Sequence, residues 1–235
     1  MKLYCSVLAM ALLLAGCGSD QAPTPAPGER AEALPDVPVM GEEVAVLALG
    51  DSLFTGYGLG EGDSYPARLE RALRARGINA RIANAGVSGD TSAGGLQRLA
   101  FTLGSQKRRP DLIIISLGGN DMLRGLPPEQ TRDNLGAILA ELKKQGIPVV
   151  LLGMLAAPNL GGDYRGKFDP IYPALAKKYG AVLVPFFLQP LMGHPELVQK
   201  DHIHPTVDGI ETLVAATIEQ IAGALPKPSA PPPLR

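Results

Sequence analysis

The chain has 235 residues, enough for one domain with a full core plus tails. Its 22 basic and 23 acidic side chains leave a net charge of −1, so there is no electrostatic case for binding nucleic acid. The 2 cysteines, Cys5 and Cys17, stand near the start, which leaves the folded part without disulfides, Cys-liganded zinc or a Cys nucleophile.

Residues 1–16 read as an export signal. Lys2 supplies a minimal positive start, and the apolar stretch from Val7 to Ala15 is too short to span a bilayer. It ends in Leu14-Ala15-Gly16-Cys17, which is similar to a bacterial lipobox. That resemblance implies cleavage before Cys17 and a diacylglycerol on its sulfur. The expectation is a protein lipid-anchored in the bacterial envelope and facing the periplasm. Residues 17–42 then carry the anchor and a tether rich in Pro and Ala, without apolar period. The domain is expected over 43–225, and the Pro-rich tail 226–235 is expected to be disordered.

Within the domain, short apolar runs alternate with helical patterns. Val44–Leu49, Arg81–Ala85, Leu112–Leu117, Val149–Leu152 and Ala181–Val184 fit strands buried on both faces of a parallel sheet. Arg68, Arg71 and Arg74 recur at helical spacing and read as a solvated helix face. Leu135, Ile138, Leu139 and Leu142 form one apolar helix face, with Gly146 as a stop. Ile210, Leu213, Val214, Thr217, Ile218 and Ile221 form another. Leu155 to Lys167, with Pro158, Gly161 and Gly162, reads as a long mobile loop. Strand–helix alternation predicts an α/β fold, a three-layer α/β/α sandwich on a five-stranded parallel sheet. In such sheets, sites form beyond the carboxyl ends of the strands. Ser52, Gly86 and Asn120 each fall just after a strand, so they should meet on one rim.

Three motifs carry chemistry: Gly50-Asp51-Ser52-Leu53, Gly118-Gly119-Asn120-Asp121 and Asp201-His202-Ile203-His204-Pro205. A serine hydroxyl is a poor nucleophile until a base takes its proton. Among the 3 histidines, His204 has Asp201 three residues earlier. A carboxylate at that spacing can turn back to the ring Nδ1–H and leave Nε2 free as base. Pro205 suits the first turn of the helix that follows. His202 reads as a bystander or part of the pocket rim, and His194 as a turn residue. Neutral, pre-aimed donors would complete the site. The Asn120 carboxamide fits, and Gly86, with no Cβ, lets its N–H approach a ligand closely. Asp51, Asp90 and Asp121 are expected to make structural hydrogen bonds, with Asp51 as a lesser rival to Asp201.

Together these motifs resemble the SGNH (GDSL-type) hydrolases, and within them the thioesterase I, lysophospholipase L1 and arylesterase branch, over about Val44 to Ala224. The resemblance implies the family's flavodoxin-like fold and a catalytic Ser52, Asp201 and His204. It also implies an oxyanion hole from the Ser52 N–H, the Gly86 N–H and the Asn120 side chain. The implied substrates are aryl esters, acyl thioesters and lysophospholipids. No cofactor or metal is called for, and the oligomeric state stays open. The stretch from the Leu155 loop to Ala176 would flank the acyl site.

Other readings explain less. Gly86-Val87-Ser88-Gly89-Asp90 lacks the last glycine of a nucleophile elbow, which leaves Ser88 a weak rival. Asp201, His202, His204 and His194 could cluster on zinc, but that leaves the Ser52 and Asn120 motifs without a role. A catalytically inactive binding lipoprotein on the same fold is the alternative of a different class.

Overall fold

Residues 38–226 are described by a computed structural model of the chain. The signal segment, Cys17, most of the expected tether and the tail beyond Pro226 lie outside them. Residues 38–43 form no helix or strand.

Five strands, β1 (Val44–Gly50), β2 (Ala80–Gly86), β3 (Leu112–Ser116), β4 (Val149–Leu152) and β5 (Val182–Val184), make one parallel sheet in the order β2-β1-β3-β4-β5. Each begins and ends within a residue or two of its expected run. Full burial holds for β3 and β4 and for most of β1. It fails for β2 and β5, which the order places at the sheet edges and which stay partly exposed. An edge strand has a neighbour on one side only, and this cannot be read from its own apolar run.

The crossover helices are α1 (Ser52–Thr55), α2 (Tyr65–Ala75), α3 (Ser92–Gly104), α4 (Gly119–Leu123), α5 (Pro128–Lys144), α6 (Gly161–Phe168) and α7 (Ile171–Tyr179), and α8 (Val207–Ala224) follows the last strand. α2 packs on α8, while α3, α5 and α7 pack in succession, so the sheet is covered on both faces. The expected faces of α5 and α8 are buried as read. Thr217, a polar residue on the apolar face of α8, is satisfied by Tyr65 Oη at 2.7 Å and by the Leu213 carbonyl at 2.7 Å. This bond ties α2 to α8 through the core.

Three local expectations need correction. The arginines of α2 do not form a solvated face. Arg74 is buried and donates to Asn79 Oδ1 at 2.7 Å, while Arg68 bridges Asp63 and Glu211. Residues 155–167 are not one long loop. A 3₁₀ turn at Pro158–Leu160 leads straight into α6, and Tyr164 Oη donates to the Leu126 carbonyl at 2.9 Å. Pro205 is not in the first turn of α8. Thr206 caps that helix, its side chain accepting from the Gly209 N–H, and Pro205 forms a β-bridge with Val198 instead.

The strand order reverses at β1. The chain leaves β1 toward β2 on one side and returns to β3 on the other, so the loops after β1 and β3 diverge and leave a crevice between them. Ser52 stands just beyond β1 and Asn120 just beyond β3.

Candidate active site

β1 ends at Gly50, and Asp51 turns the chain into α1. The Asp51 side chain accepts from the Leu53 N–H at 3.1 Å and so caps the helix. Ser52 is the first residue of α1, where a backbone N–H has no partner inside the helix. α1 lies across the end of β2. A Cβ on Gly86 would stand 2.7 Å from Thr55 N and 2.9 Å from the Phe54 carbonyl carbon, so this glycine lets the α1 backbone pack. Its N–H is already used, donating to Asn84 Oδ1 at 2.9 Å. Gly86 is absent from the wall of the cavity beside Ser52. The expectation of an oxyanion donor at Gly86 is therefore corrected, because packing accounts for the missing side chain.

His204 Nε2 lies 2.8 Å from Ser52 Oγ, and its Nδ1 lies 2.6 Å from Asp201 Oδ2. The second carboxylate oxygen, Oδ1, accepts from the Ile203 and His204 backbone N–H groups at 3.0 Å each. The carboxylate is thus oriented by its own turn before the imidazole meets it. These bonds, the His204 ring first, hold the Asp201 carboxyl well below the usual carboxylate range. The loop is pinned from outside. Gln199 N–H donates to the His204 carbonyl at 2.7 Å, and Gln199 Nε2 reaches the Tyr57 and Pro205 carbonyls at 2.8 Å each. The Tyr57 ring packs on the imidazole with centroids 4.5 Å apart. Sequence reading missed both residues. Gln199 carries no motif signal, and Tyr57 could be suspected only from its nearness to Ser52.

His202 lines the cavity but has φ of +60°, the one positive value at a non-glycine residue among those described. His194 pairs with Glu196 at 3.0 Å. Among the described residues, no group of three His, Cys, Asp or Glu side chains is placed to hold a metal ion.

On the β3 side, Gly118 takes φ of +102° to start α4. A Cβ there would stand 2.3 Å from Tyr172 Oη, which donates to the Leu117 carbonyl at 2.9 Å. The turn delivers Asn120 to the cavity wall. Its Nδ2 donates to the Asp90 carbonyl at 3.0 Å and, more weakly, to Asp51 Oδ2 at 3.3 Å. Asp121 is buried and accepts from Ser92 N–H at 2.8 Å, Thr131 Oγ1 at 3.1 Å and the Ser92 hydroxyl. Asp90 is held by Arg98 Nε at 2.7 Å, and the same arginine donates to the Gly50 carbonyl at 2.9 Å. Asp90 and Asp121 thus make the expected structural bonds. Ser88 Oγ pairs with Thr55 Oγ1 at 3.0 Å.

Gly89 lines the cavity where Gly86 does not. It sits at the third position of the turn closed by Asp90 N–H to the Val87 carbonyl at 3.0 Å, with φ of +79°. A positive φ at that position favours glycine. Its own N–H has no acceptor in the loop. The Ser88-Gly89-Asp90 turn in the sequence was the available signal.

The cavity measures about 360 Å³ and combines Ser52, His204, Asn120 and Gly89 with an apolar wall that includes Leu53, Met122, Met154 and Leu188. Residues 155–176, expected to flank it, contribute nothing to its lining. A larger groove of about 500 Å³ runs between α5 and α7, away from all of these groups.

Asp51 is the most perturbed carboxyl near the nucleophile that is also buried. Burial pushes it up to about 6, opposed by the Leu53 N–H and the charge of His204. An acid raised in the folded state binds more protons there than in the unfolded chain. Stability from this group should therefore fall as pH rises from about 4 to about 6, by about 3 kcal/mol at most. Asp201, whose carboxyl is depressed, has the opposite sign, and its window lies below that range. Asp51→Asn should flatten the pH dependence of the urea midpoint across the upper window. An unchanged slope would assign the effect to another group.

A serine, an imidazole and a carboxylate in line, at the switch point of a flavodoxin-like sheet, define an esterolytic serine hydrolase. The chain belongs to the GDSL-like lipase/acylhydrolase family, whose pattern matches residues 48–211. It is 41% identical to the Esterase TesA of Pseudomonas aeruginosa over 69% of this chain and 80% of that protein. It is 37% identical to the Thioesterase 1/protease 1/lysophospholipase L1 of Escherichia coli strain K12, over 69% of this chain and 76% of that one. Among solved structures, the SGNH-hydrolase family esterase AlinE4 is 60% identical with a TM-score of 0.68, covering 80% of this chain and 100% of its own.

Proposed function

We propose that Ser52, His204 and Asp201 carry out ester hydrolysis through an acyl-enzyme. The single observation that carries this is the unbroken line from Asp201 Oδ2 through both ring nitrogens of His204 to Ser52 Oγ, at 2.6 and 2.8 Å. Ser52 Oγ attacks the carbonyl carbon while its proton passes to His204 Nε2. Asp201 holds the tautomer and stabilises the imidazolium. The tetrahedral oxyanion is received by the Ser52 N–H, the Gly89 N–H and the Asn120 carboxamide. Collapse breaks the bond to the leaving oxygen or sulfur, which takes the proton from His204. Water, deprotonated by the same imidazole, then attacks the acyl-Ser52 carbonyl and frees the acid.

The substrates proposed are aryl and short-to-medium acyl esters, acyl thioesters and lysophospholipids. The apolar cavity wall and the names of the relatives support this class. Hydrolysis of p-nitrophenyl butyrate by the full chain, lost in Ser52→Ala, tests the reaction and separates it from a non-enzymatic binding protein on this fold. A chain-length series beside a lysophospholipid assay tests the range. The lipobox-like sequence supports placement in the envelope through an acylated Cys17, out of reach of cytosolic acyl-CoA. Cys17→Ser should release the protein from the membrane fraction or leave it unprocessed. Unchanged membrane association and an unchanged mass of the mature N-terminal peptide would refute the anchor.

A further inference from the structure

Nine large hydrophobic side chains are strongly exposed among the described residues. Six of them stand on the loops, or on the short helix α4, that follow the carboxyl ends of the strands: Tyr57, Val87, Leu123, Leu155, Met192 and Ile203. Every one of the five strands is followed by at least one, with exposures from 39% at Leu155 to 59% at Met192. The remaining three, Met40, Phe101 and Val182, are scattered elsewhere. Tyr57, Leu123 and Ile203 also line the cavity itself, so the exposed ring is continuous with the inner apolar wall.

From this distribution we infer that the catalytic rim docks onto the apolar–water interface of a lipid bilayer or micelle and draws amphiphilic esters directly from it. The inference rests on the ester-hydrolase reading of the same site. Isolated exposed apolar residues are ordinary, but a set gathered around one opening marks a contact surface. The occupant follows from the geometry. All six share the end of the sheet on which the mouth opens, and three of them line it, so a protein seated on them would seal the cavity from substrate, whereas a lipid surface delivers substrate through it. The side chains come one or two per loop, as separate short probes suited to a deformable interface. Tyr57 presents an apolar ring with a polar tip, the form that settles at a membrane boundary. The same loops carry charges of both signs, Arg124 and Lys200 against Glu61 and Glu196, so no cationic belt selects anionic lipid. The described chain enters at the start of β1, at the end of the sheet opposite the rim.

The test uses the chain from residue 18 onward, so that neither an acyl anchor nor an uncleaved signal segment contributes to binding. Co-flotation with zwitterionic phosphatidylcholine vesicles reads docking. Lysophosphatidylcholine hydrolysis across its critical micelle concentration reads function, and p-nitrophenyl butyrate in solution reads the chemistry alone. The triple variant Val87→Ser, Leu155→Ser, Met192→Ser alters ring residues outside the cavity lining. It should float about tenfold less and lose the rise in rate above the critical concentration, with kcat/KM on p-nitrophenyl butyrate kept within about twofold. The reverse change, Val87→Trp, should strengthen flotation and guards against a misfolded triple variant. Equal flotation of the parent and the triple variant, or flotation with anionic vesicles alone, overturns the docking surface. Loss of p-nitrophenyl butyrate hydrolysis in the parent overturns the hydrolase reading instead, whatever the vesicles show.

Discussion

Changing His204 to Ala is expected to lower kcat for p-nitrophenyl butyrate by about 10⁵–10⁶, while Asp201→Asn costs about 10⁴. His202→Ala, one residue from Asp201, should leave most activity in place. The contrast has a geometric cause. Both ring nitrogens of His204 are committed, to Asp201 Oδ2 at 2.6 Å and Ser52 Oγ at 2.8 Å. The His202 side chain bonds to neither of them and only lines the cavity. Asp201→Asn spares more than the histidine change because the base remains and mainly its tautomer is lost. Single-turnover kinetics on the three variants, with folding checked by the urea midpoint, decide the matter. Survival of activity in His204→Ala, with loss in His202→Ala, would assign the base wrongly here and reopen a metal role for the loop.

Asn120→Ala should reduce kcat by about 10²–10³, or ~3–4 kcal/mol, with little change in KM. The amide is held in place in the resting enzyme by the Asp90 carbonyl at 3.0 Å, while its bond toward Asp51 is longer, at 3.3 Å. The longer bond is the one a developing oxyanion can replace at least cost. The donor then matters when negative charge forms and not when substrate first binds. A large rise in KM at unchanged kcat would make Asn120 a substrate-binding group. The buried carboxylate of Asp121 supports this placement indirectly, by tying the start of α4 to Ser92 and Thr131. Removing it should therefore lower stability and kcat together.

Much of the fold was legible because its signals are local. Apolar runs of strand length, alternating with helical faces, determine a parallel sheet with helices on both sides, whatever the details of packing. The same holds for Ser52, Asn120 and the Asp201–His204 spacing. Nucleophile, neutral donor and a carboxylate within reach of an imidazole are properties of residue type and short separation. Where the sequence misled, the missing information was long-range. Gly86 and Gly89 stand three residues apart and are equally small. Only the α1 backbone, packed against Gly86 with Thr55 N where a Cβ would stand, shows which glycine serves packing and which faces the cavity. The arginines of α2 looked solvated because their partners, Asp63, Asn79 and Glu211, come from other elements. Gln199, joining the histidine loop to the Tyr57 carbonyl, bridges segments 142 residues apart. By itself, then, the sequence determined the layers and picked out the residues proposed as nucleophile, base and orienting carboxylate, since each signal rests on neighbours along the chain. Tertiary structure alone showed which glycine faces the cavity to serve as the proposed second backbone donor, the clamp on the histidine loop and the gathering of exposed apolar side chains at one end of the sheet. Each of these depends on which distant loops the strand order β2-β1-β3-β4-β5 brings to one rim.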